Sequence, residues 1–290
     1  MQPDPVDLHK LQQAILDSAS YLRVDQDLGF LQRQDMRAVR FQLELLKPEV
    51  AFKEQRIRST IVVFGGTQII EQSAAEQRVA ALETSLAADP ENPQLLRRVA
   101  RARRQLGNAH YYDEARRFSR LVSGTCQVDG TCDYVVVTGG GPGIMEAANR
   151  GAHDVGAKSV GLNITLPEEQ APNPYITPEL CFQFQYFAIR KFHFLLRAKA
   201  LVTFPGGYGT LDELTDALTL RQVRRMQAIP IILYGTEYWK NVIDFQYLAD
   251  EGVIADEHLD LISYADNPEQ AWQQILDFHK PENQYWPTVS

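Results

Sequence analysis

Apolar residues follow two different rhythms along this chain. From Val6 to Leu22, Leu8, Leu11, Ile15 and Leu22 share one face at helical spacing, and a second helical stretch covers Leu28 to Leu46. Pro48 is expected to stop that helix, because proline lacks the N–H that an interior turn requires. At Thr60 the texture changes. Thr60-Ile61-Val62-Val63-Phe64 is a continuous, β-branched run ending in Gly65-Gly66, the mark of a strand buried on both faces. Similar runs recur at Tyr134 to Thr138, Ser159 to Ile164, Ala200 to Phe204, Ile229 to Tyr234 and Leu259 to Tyr264. Helix-length segments separate most of them: Ile144 to Val155, Ala188 to Ala198, Leu211 to Arg224, Tyr238 to Asp250 and Pro268 to Phe278.

Strands alternating with helices predict right-handed βαβ units and a Rossmann-like, doubly wound parallel α/β sheet. Ligands of such sheets bind beyond the carboxyl ends of the strands. The expected organisation is an N-terminal helical extension over residues 1–58 and a nucleotide-binding domain over residues 59–290. One segment breaks the rhythm: Glu71 to Asn108 is charged, rich in alanine and interrupted by Asp89-Pro90-Glu91-Asn92-Pro93. It is expected to form a helical hairpin inserted at residues 71–108. Its arginines (Arg97, Arg98, Arg101, Arg103 and Arg104) suit a solvated helix face better than a polyanion site.

Composition narrows the function classes. The 290 residues carry a formal charge of −8, with 44% hydrophobic and 23% charged residues. An acidic chain is poorly suited to broad contact with nucleic acid or an anionic membrane, so an anionic ligand needs local devices. No basic stretch followed by an apolar run opens the sequence, and no apolar stretch is long enough to span a bilayer, so a cytoplasmic protein is expected. The three cysteines (Cys126, Cys132 and Cys181) lack the paired spacing of a zinc site and are expected to be reduced thiols.

Two glycine loops supply such a device, each following a strand and opening a helix: Thr138-Gly139-Gly140-Gly141-Pro142-Gly143-Ile144 and Phe204-Pro205-Gly206-Gly207-Tyr208-Gly209-Thr210. Glycine lets backbone approach a ligand closely, and the first amides of a helix have no internal partners, so both loops suit phosphate. Neither is a dinucleotide fingerprint: Ile144 and Asp212 stand where the final glycine would be required, and there is no G-x-x-x-x-G-K-[ST]. Tight turns also carry glycine for steric reasons alone. Thr210-x-x-Glu213 equally fits a capping box, in which the two side chains only satisfy backbone donors. Between the loops, Arg190 and Lys191 interrupt an aromatic helical stretch. Either they form a solvated pair or they sit at the cleft mouth and meet a phosphate or sugar. His193 reads as packing.

Pro205-Gly206-Gly207-Tyr208-Gly209-Thr210-Leu211-Asp212-Glu213 resembles the P-G-G-x-G-T-x-x-E motif of the LOG family of nucleoside 5′-monophosphate phosphoribohydrolases. Arg190-Lys191 is similar to that family's R-K pair, and Gly139 to Gly143 to its first glycine loop. The resemblance spans roughly Thr60 to Phe278 and is closest to a longer branch that adds N-terminal helices. It implies a Rossmann-like homodimer, no cofactor, and hydrolysis of AMP or an N6-modified AMP to base and ribose 5-phosphate. The site residues it implies are Arg190 and Glu213 for catalysis. Gly140, Gly141, Gly143, Glu169, Lys191, Gly206, Gly207, Tyr208, Gly209 and Thr210 would contact substrate. The chain departs from the pattern at Gly65-Gly66-Thr67-Gln68, where many relatives have Gly-Ser and then an arginine two residues on. A nucleotide-binding regulatory protein without turnover is the competing expectation; a nicotinamide enzyme is disfavoured by the missing fingerprint.

Overall fold

The computed structural model describes residues 7–127, 132–167 and 171–280. The chain divides into two compact units, Met1–Lys47 and Pro48–Ser290. The first unit contains α1 (Leu8–Leu16), a 3-10 turn at Ala19–Tyr21, the short α2 (Leu28–Leu31) and the opening of α3 (Arg37–Glu54). Asp7 caps α1 and Asp27 caps α2, each accepting from backbone amides of the first turn. Arg40 donates to the Leu31 and Arg33 carbonyls at 2.7 Å each, tying α3 back to the preceding turns.

Pro48 does not end the second helix; it lies inside α3. Its missing N–H removes one helical bond, but the turns beyond it are held by packing. Phe52 is buried edge-on against Phe182 with ring centres 5.8 Å apart, and Arg197 forks onto the Glu49 carboxylate, with one bond of 2.7 Å.

In the second unit the order is β1 (Thr60–Phe64), α4 (Gln72–Ala88), α5 (Pro93–Gly107), α6 (His110–Cys126), β2 (Val135–Thr138) and α7 (Ile144–Asp154). Then come β3 (Ser159–Ile164), β4 (Cys181–Phe184), α8 (Phe187–Leu196), β5 (Ala198–Thr203), α9 (Tyr208–Gln222), β6 (Ile231–Tyr234), α10 (Thr236–Val242), α11 (Phe245–Asp250), β7 (Ile262–Ala265) and α12 (Pro268–Phe278). The seven strands form one parallel sheet in the order β4-β3-β2-β1-β5-β6-β7. This is the expected doubly wound, Rossmann-like α/β architecture.

Three elements differ from expectation. The edge strand β4 is additional: its four residues alternate, with Phe182 and Phe184 buried and Gln183 exposed. The helix expected over Tyr238 to Asp250 is broken into α10 and α11, because Asp244 leaves the helix and caps α11 by accepting from the Tyr247 amide. The last strand starts later than expected, after a 3-10 stretch at Asp256–Leu261.

Every residue of β1 is buried, and its side chains alternate between two cores. Val62 and Phe64 join Phe194, Leu201 and Leu214 on one face. Ile61 and Val63 join Phe118, Ile144 and Val202 on the other. Between β1 and α6, α4 and α5 pack on each other as a helical pair and bury only Ala75, Val79, Val99 and Ala102. Among the described residues no helix is long and apolar enough to cross a membrane.

Candidate functional site

The strand order reverses around β1, with β2 on one side and β5 on the other. This is the switch point of a doubly wound sheet, where the connections diverge and a crevice opens. The two glycine loops are one strand apart, following β2 and β5, and the end of β1 joins them. The Gly66 amide donates to the Pro205 carbonyl at 2.8 Å, and the Ile144 amide donates to the Gly66 carbonyl at 3.2 Å. A Cβ on Gly65 would fall 2.5 Å from Ile144, and one on Gly143, at φ 75°, would fall 2.4 Å from the Gly66 oxygen. Three strand ends therefore meet with no room for side chains between them. From the helical pair, Arg78 reaches Gln68 of the β1 loop at 3.4 Å.

The first glycine loop is held from beneath by a buried polar network. Thr138 donates to Asn149 at 2.6 Å, and Asn149 donates to Ser159 at 3.0 Å and to the Val160 carbonyl at 3.3 Å. Asn173 joins from the β3–β4 connection. Its amide donates to the Gly140 carbonyl at 2.9 Å, and its Nδ2 donates to the Gly141 carbonyl at 3.1 Å and to Asn149 at 2.9 Å. The Gly140 amide donates inward to Thr138 Oγ1 at 3.0 Å. Gly140 itself sits at φ 75°, and any Cβ there would overlap Asn163. These asparagines were not singled out from the sequence. Asn149 was legible as a polar residue on the alanine-rich face of α7, but Asn173, in an irregular connection, carried no signal.

The second loop is built differently. Helix α9 begins at Tyr208 with Gly207 as its cap, and no side chain caps this end. Thr210 is thus already inside the first turn and Glu213 in the second, so the two do not form a capping box. Gly206 is required by the fold, since a Cβ would lie 2.1 Å from Thr210 Oγ1. At Gly207 and Gly209 a Cβ would meet nothing within 4 Å, so packing does not explain glycine there. Tyr208 is almost wholly exposed. On the far side, Tyr238 of α10 donates its hydroxyl to the Gly206 carbonyl at 2.6 Å.

Arg190 is not a solvated cation. Its side chain is only 12% exposed and lies against the Gly139 backbone, where a Cβ would stand 2.6 Å from Nη2. Nε donates to the Leu162 carbonyl at 2.7 Å, the guanidinium covers the Phe194 ring at 5.0 Å, and Nη1 lies 3.4 Å from Glu213 Oε1. Burial pushes the Glu213 carboxyl up to about 7, opposed by the nearby Arg190 and Lys191 charges. Burial also lowers the Arg190 pKa, with Glu213 working against it. Lys191 is engaged elsewhere, 2.9 Å from Asp212 and 3.9 Å from Asp216 on α9. His193 is buried beside Phe184, with ring centres 5.5 Å apart, as expected of a packing residue. Glu169 lies outside the described residues. Among the described residues no three His, Cys, Asp or Glu side chains come together as a metal-holding group.

A doubly wound α/β protein with a buried carboxylate–guanidinium pair and two glycine loops at its switch point is the class these features define. The family model described as "Possible lysine decarboxylase" matches residues 145–275. Among curated proteins, the chain is 29% identical over 153 residues to the cytokinin riboside 5′-monophosphate phosphoribohydrolase LOG7 of Arabidopsis thaliana, covering 51% of this chain and 68% of that one. It is 27% identical over 149 residues to LOG2 of the same plant, covering 50% and 68%. The chain is thus similar to these LOG proteins at low identity over about half of its length. Among solved structures, it is similar to the molybdenum cofactor binding protein of Rippkaea orientalis, with a TM-score of 0.46 and 17% identity over 77% of this chain and 99% of that one. The molybdenum cofactor carrier protein of Chlamydomonas reinhardtii gives 0.42 and 17% over 76% and 99%. At those distances nothing about a ligand follows.

Proposed function

We propose that this chain hydrolyses the N-glycosidic bond of a nucleoside 5′-monophosphate, AMP or an N6-modified AMP, to free base and ribose 5-phosphate. The observation that carries the reading is the buried Glu213–Arg190 pair beside the uncapped start of α9. The amides of Gly207 to Thr210 have no helical partners, and the helix dipole favours an anion there, so this end takes the 5′-phosphate. The first loop contributes less to the anion, because the Gly140 and Ile144 amides already donate within the protein. Its Gly141 and Gly143 line the wall opposite.

Breaking the C1′–N bond builds positive charge on the ribose. A carboxylate near C1′ stabilises that charge, and with a pKa of about 7 it can also accept the proton of the attacking water. Water adds at C1′, and the base leaves with the bonding electron pair and a proton. Arginine stays protonated and is a poor acid, so Arg190 orients the sugar or the leaving group and holds Glu213 in place. Lys191, Tyr208 and Glu169 complete the substrate-contacting set in this reading, and the working form is a cytoplasmic homodimer.

The test is incubation with AMP and with adenosine, following free adenine and ribose 5-phosphate. Release from AMP far exceeding release from adenosine supports the reading. Binding of AMP with no release would instead make the chain a nucleotide-binding regulatory protein. Light scattering on the same preparation tests the dimer.

A further inference from the structure

A loop of glycines has no preferred peptide orientation of its own. Peptide planes flanked by glycine flip at little cost, and a flip turns a carbonyl toward an anion in place of an N–H. Something outside the loop must therefore set the orientation. At both loops the structure contains such a device, and in each case it acts on a carbonyl. In a trans peptide the C=O of one residue and the N–H of the next point in opposite directions, so tying one aims the other.

We infer that Tyr238 is a positioning residue for anion binding: its hydroxyl ties back the Gly206 carbonyl and so aims the Gly207 N–H at the phosphate. The bond is 2.6 Å, from a half-buried tyrosine on α10, an element outside the glycine motif. The Gly207 N–H meets no acceptor among the described residues, and beyond its own chain neighbours no atom of them lies within 4 Å of where a Gly207 Cβ would stand. The next carbonyl upstream is tied as well, since Pro205 accepts from the Gly66 amide at 2.8 Å. Asn173 does the same across the crevice. Its main-chain amide holds the Gly140 carbonyl, which aims the Gly141 N–H, and its Nδ2 holds the Gly141 carbonyl itself. Pro142 follows with no N–H to aim. Of the first loop's amides, the inference therefore selects Gly141, whereas the Gly140 amide is turned inward to Thr138.

The inference rests on the phosphate-binding part of the function proposed above, and binding measurements separate the two. Tyr238→Phe keeps the ring and removes only the donor. Calorimetric titration with AMP, adenosine and inorganic phosphate should show AMP and inorganic phosphate binding about 5- to 20-fold more weakly in the variant, with adenosine unchanged. Equal affinities in wild type and variant, or a loss shared equally by adenosine, would overturn the positioning role. If wild type binds phosphate but cleaves no nucleotide, the hydrolase reading fails and the positioning role still stands or falls on these titrations. A second measurement needs no variant. Adding inorganic phosphate to 15N-labelled protein should move the Gly207 and Gly141 amide resonances downfield while leaving Gly140 in place. Unmoved Gly207, or no phosphate binding by the wild type, also overturns it.

Discussion

The Glu213 carboxylate lies 3.4 Å from the Arg190 guanidinium, and the two side chains retain only 10% and 12% of their exposure. Water cannot screen either charge well: burial disfavours both charged forms, and each charge opposes that effect on the other. An ordinary cap would show neither the burial nor this partner.

Glu213→Gln should lower adenine release roughly 100- to 10,000-fold while AMP still binds, because a neutral amide cannot answer developing ribose charge. Adenine release and AMP affinity measured on one preparation decide it. Near-normal turnover would remove Glu213 from the chemistry.

The pH profile of turnover should have an acidic limb near 7, set by the raised Glu213 carboxyl. Removing the neighbouring cation in Arg190→Gln should raise that pKa further, moving the limb to higher pH as well as slowing the reaction. A limb that stays near 7 in the variant would assign it to another group.

The same carboxyl should appear in folding. Its folded pKa of about 7 lies above the ordinary 4.5, so its contribution to stability is fully present below about pH 4.5 and is lost as the pH rises through 7. The loss is on the order of 2–3 kcal/mol. Denaturant titrations at pH 5 and pH 8 should show this decline in wild type but not in Glu213→Gln. Parallel behaviour of the two proteins would contradict the burial-driven shift.

Gly207→Ala should separate binding from folding. No protein atom crowds the new methyl group and φ is −97°, so stability should be unchanged or higher by about 0.4–1 kcal/mol. AMP affinity should nevertheless fall, because the methyl group occupies space next to the aimed amide. Gly206→Ala, by contrast, meets Thr210 and should lower the melting temperature.

Replacing Gln72–Gly107 with a short linker should leave a folded protein, since the helical pair buries only four small or medium apolar residues. Circular dichroism and light scattering would check this. Loss of folding would show that the pair supports the sheet, and loss of the oligomer would place it at an interface.

Much of this was legible in the chain itself. Five consecutive β-branched or aromatic residues at Thr60–Phe64 read as a strand buried on both faces, and the glycines after β2 and β5 mark the strand ends that open the crevice. The motif also carried Arg190 and Glu213 as a pair, though it could not say that Arg190 is buried. Charge suggested the surface, but the absence of a side chain at Gly139 leaves a slot for the guanidinium. The capping pattern at Thr210 and Glu213 was misleading because local spacing does not reveal where a helix starts; Gly206 packs onto Thr210, and α9 begins three residues earlier, at Tyr208. Pro48 was judged on local cost alone, and Phe52 and Glu49 outweigh it. Tyr238 and Asn173 act across long sequence separations, which no local pattern encodes.

The stretch that matches the family, residues 145–275, is not a unit that could be excised. It contains β3 and β4 on one side and β5, β6 and β7 on the other, while β1 and β2, which stand between them, lie upstream. Cut out alone, it would be two half-sheets whose inner edges face a gap two strands wide, each a bare template for pairing with another chain. Any truncation, fusion or domain graft made from this protein therefore has to begin before Thr60, however confidently a shorter boundary is drawn by similarity.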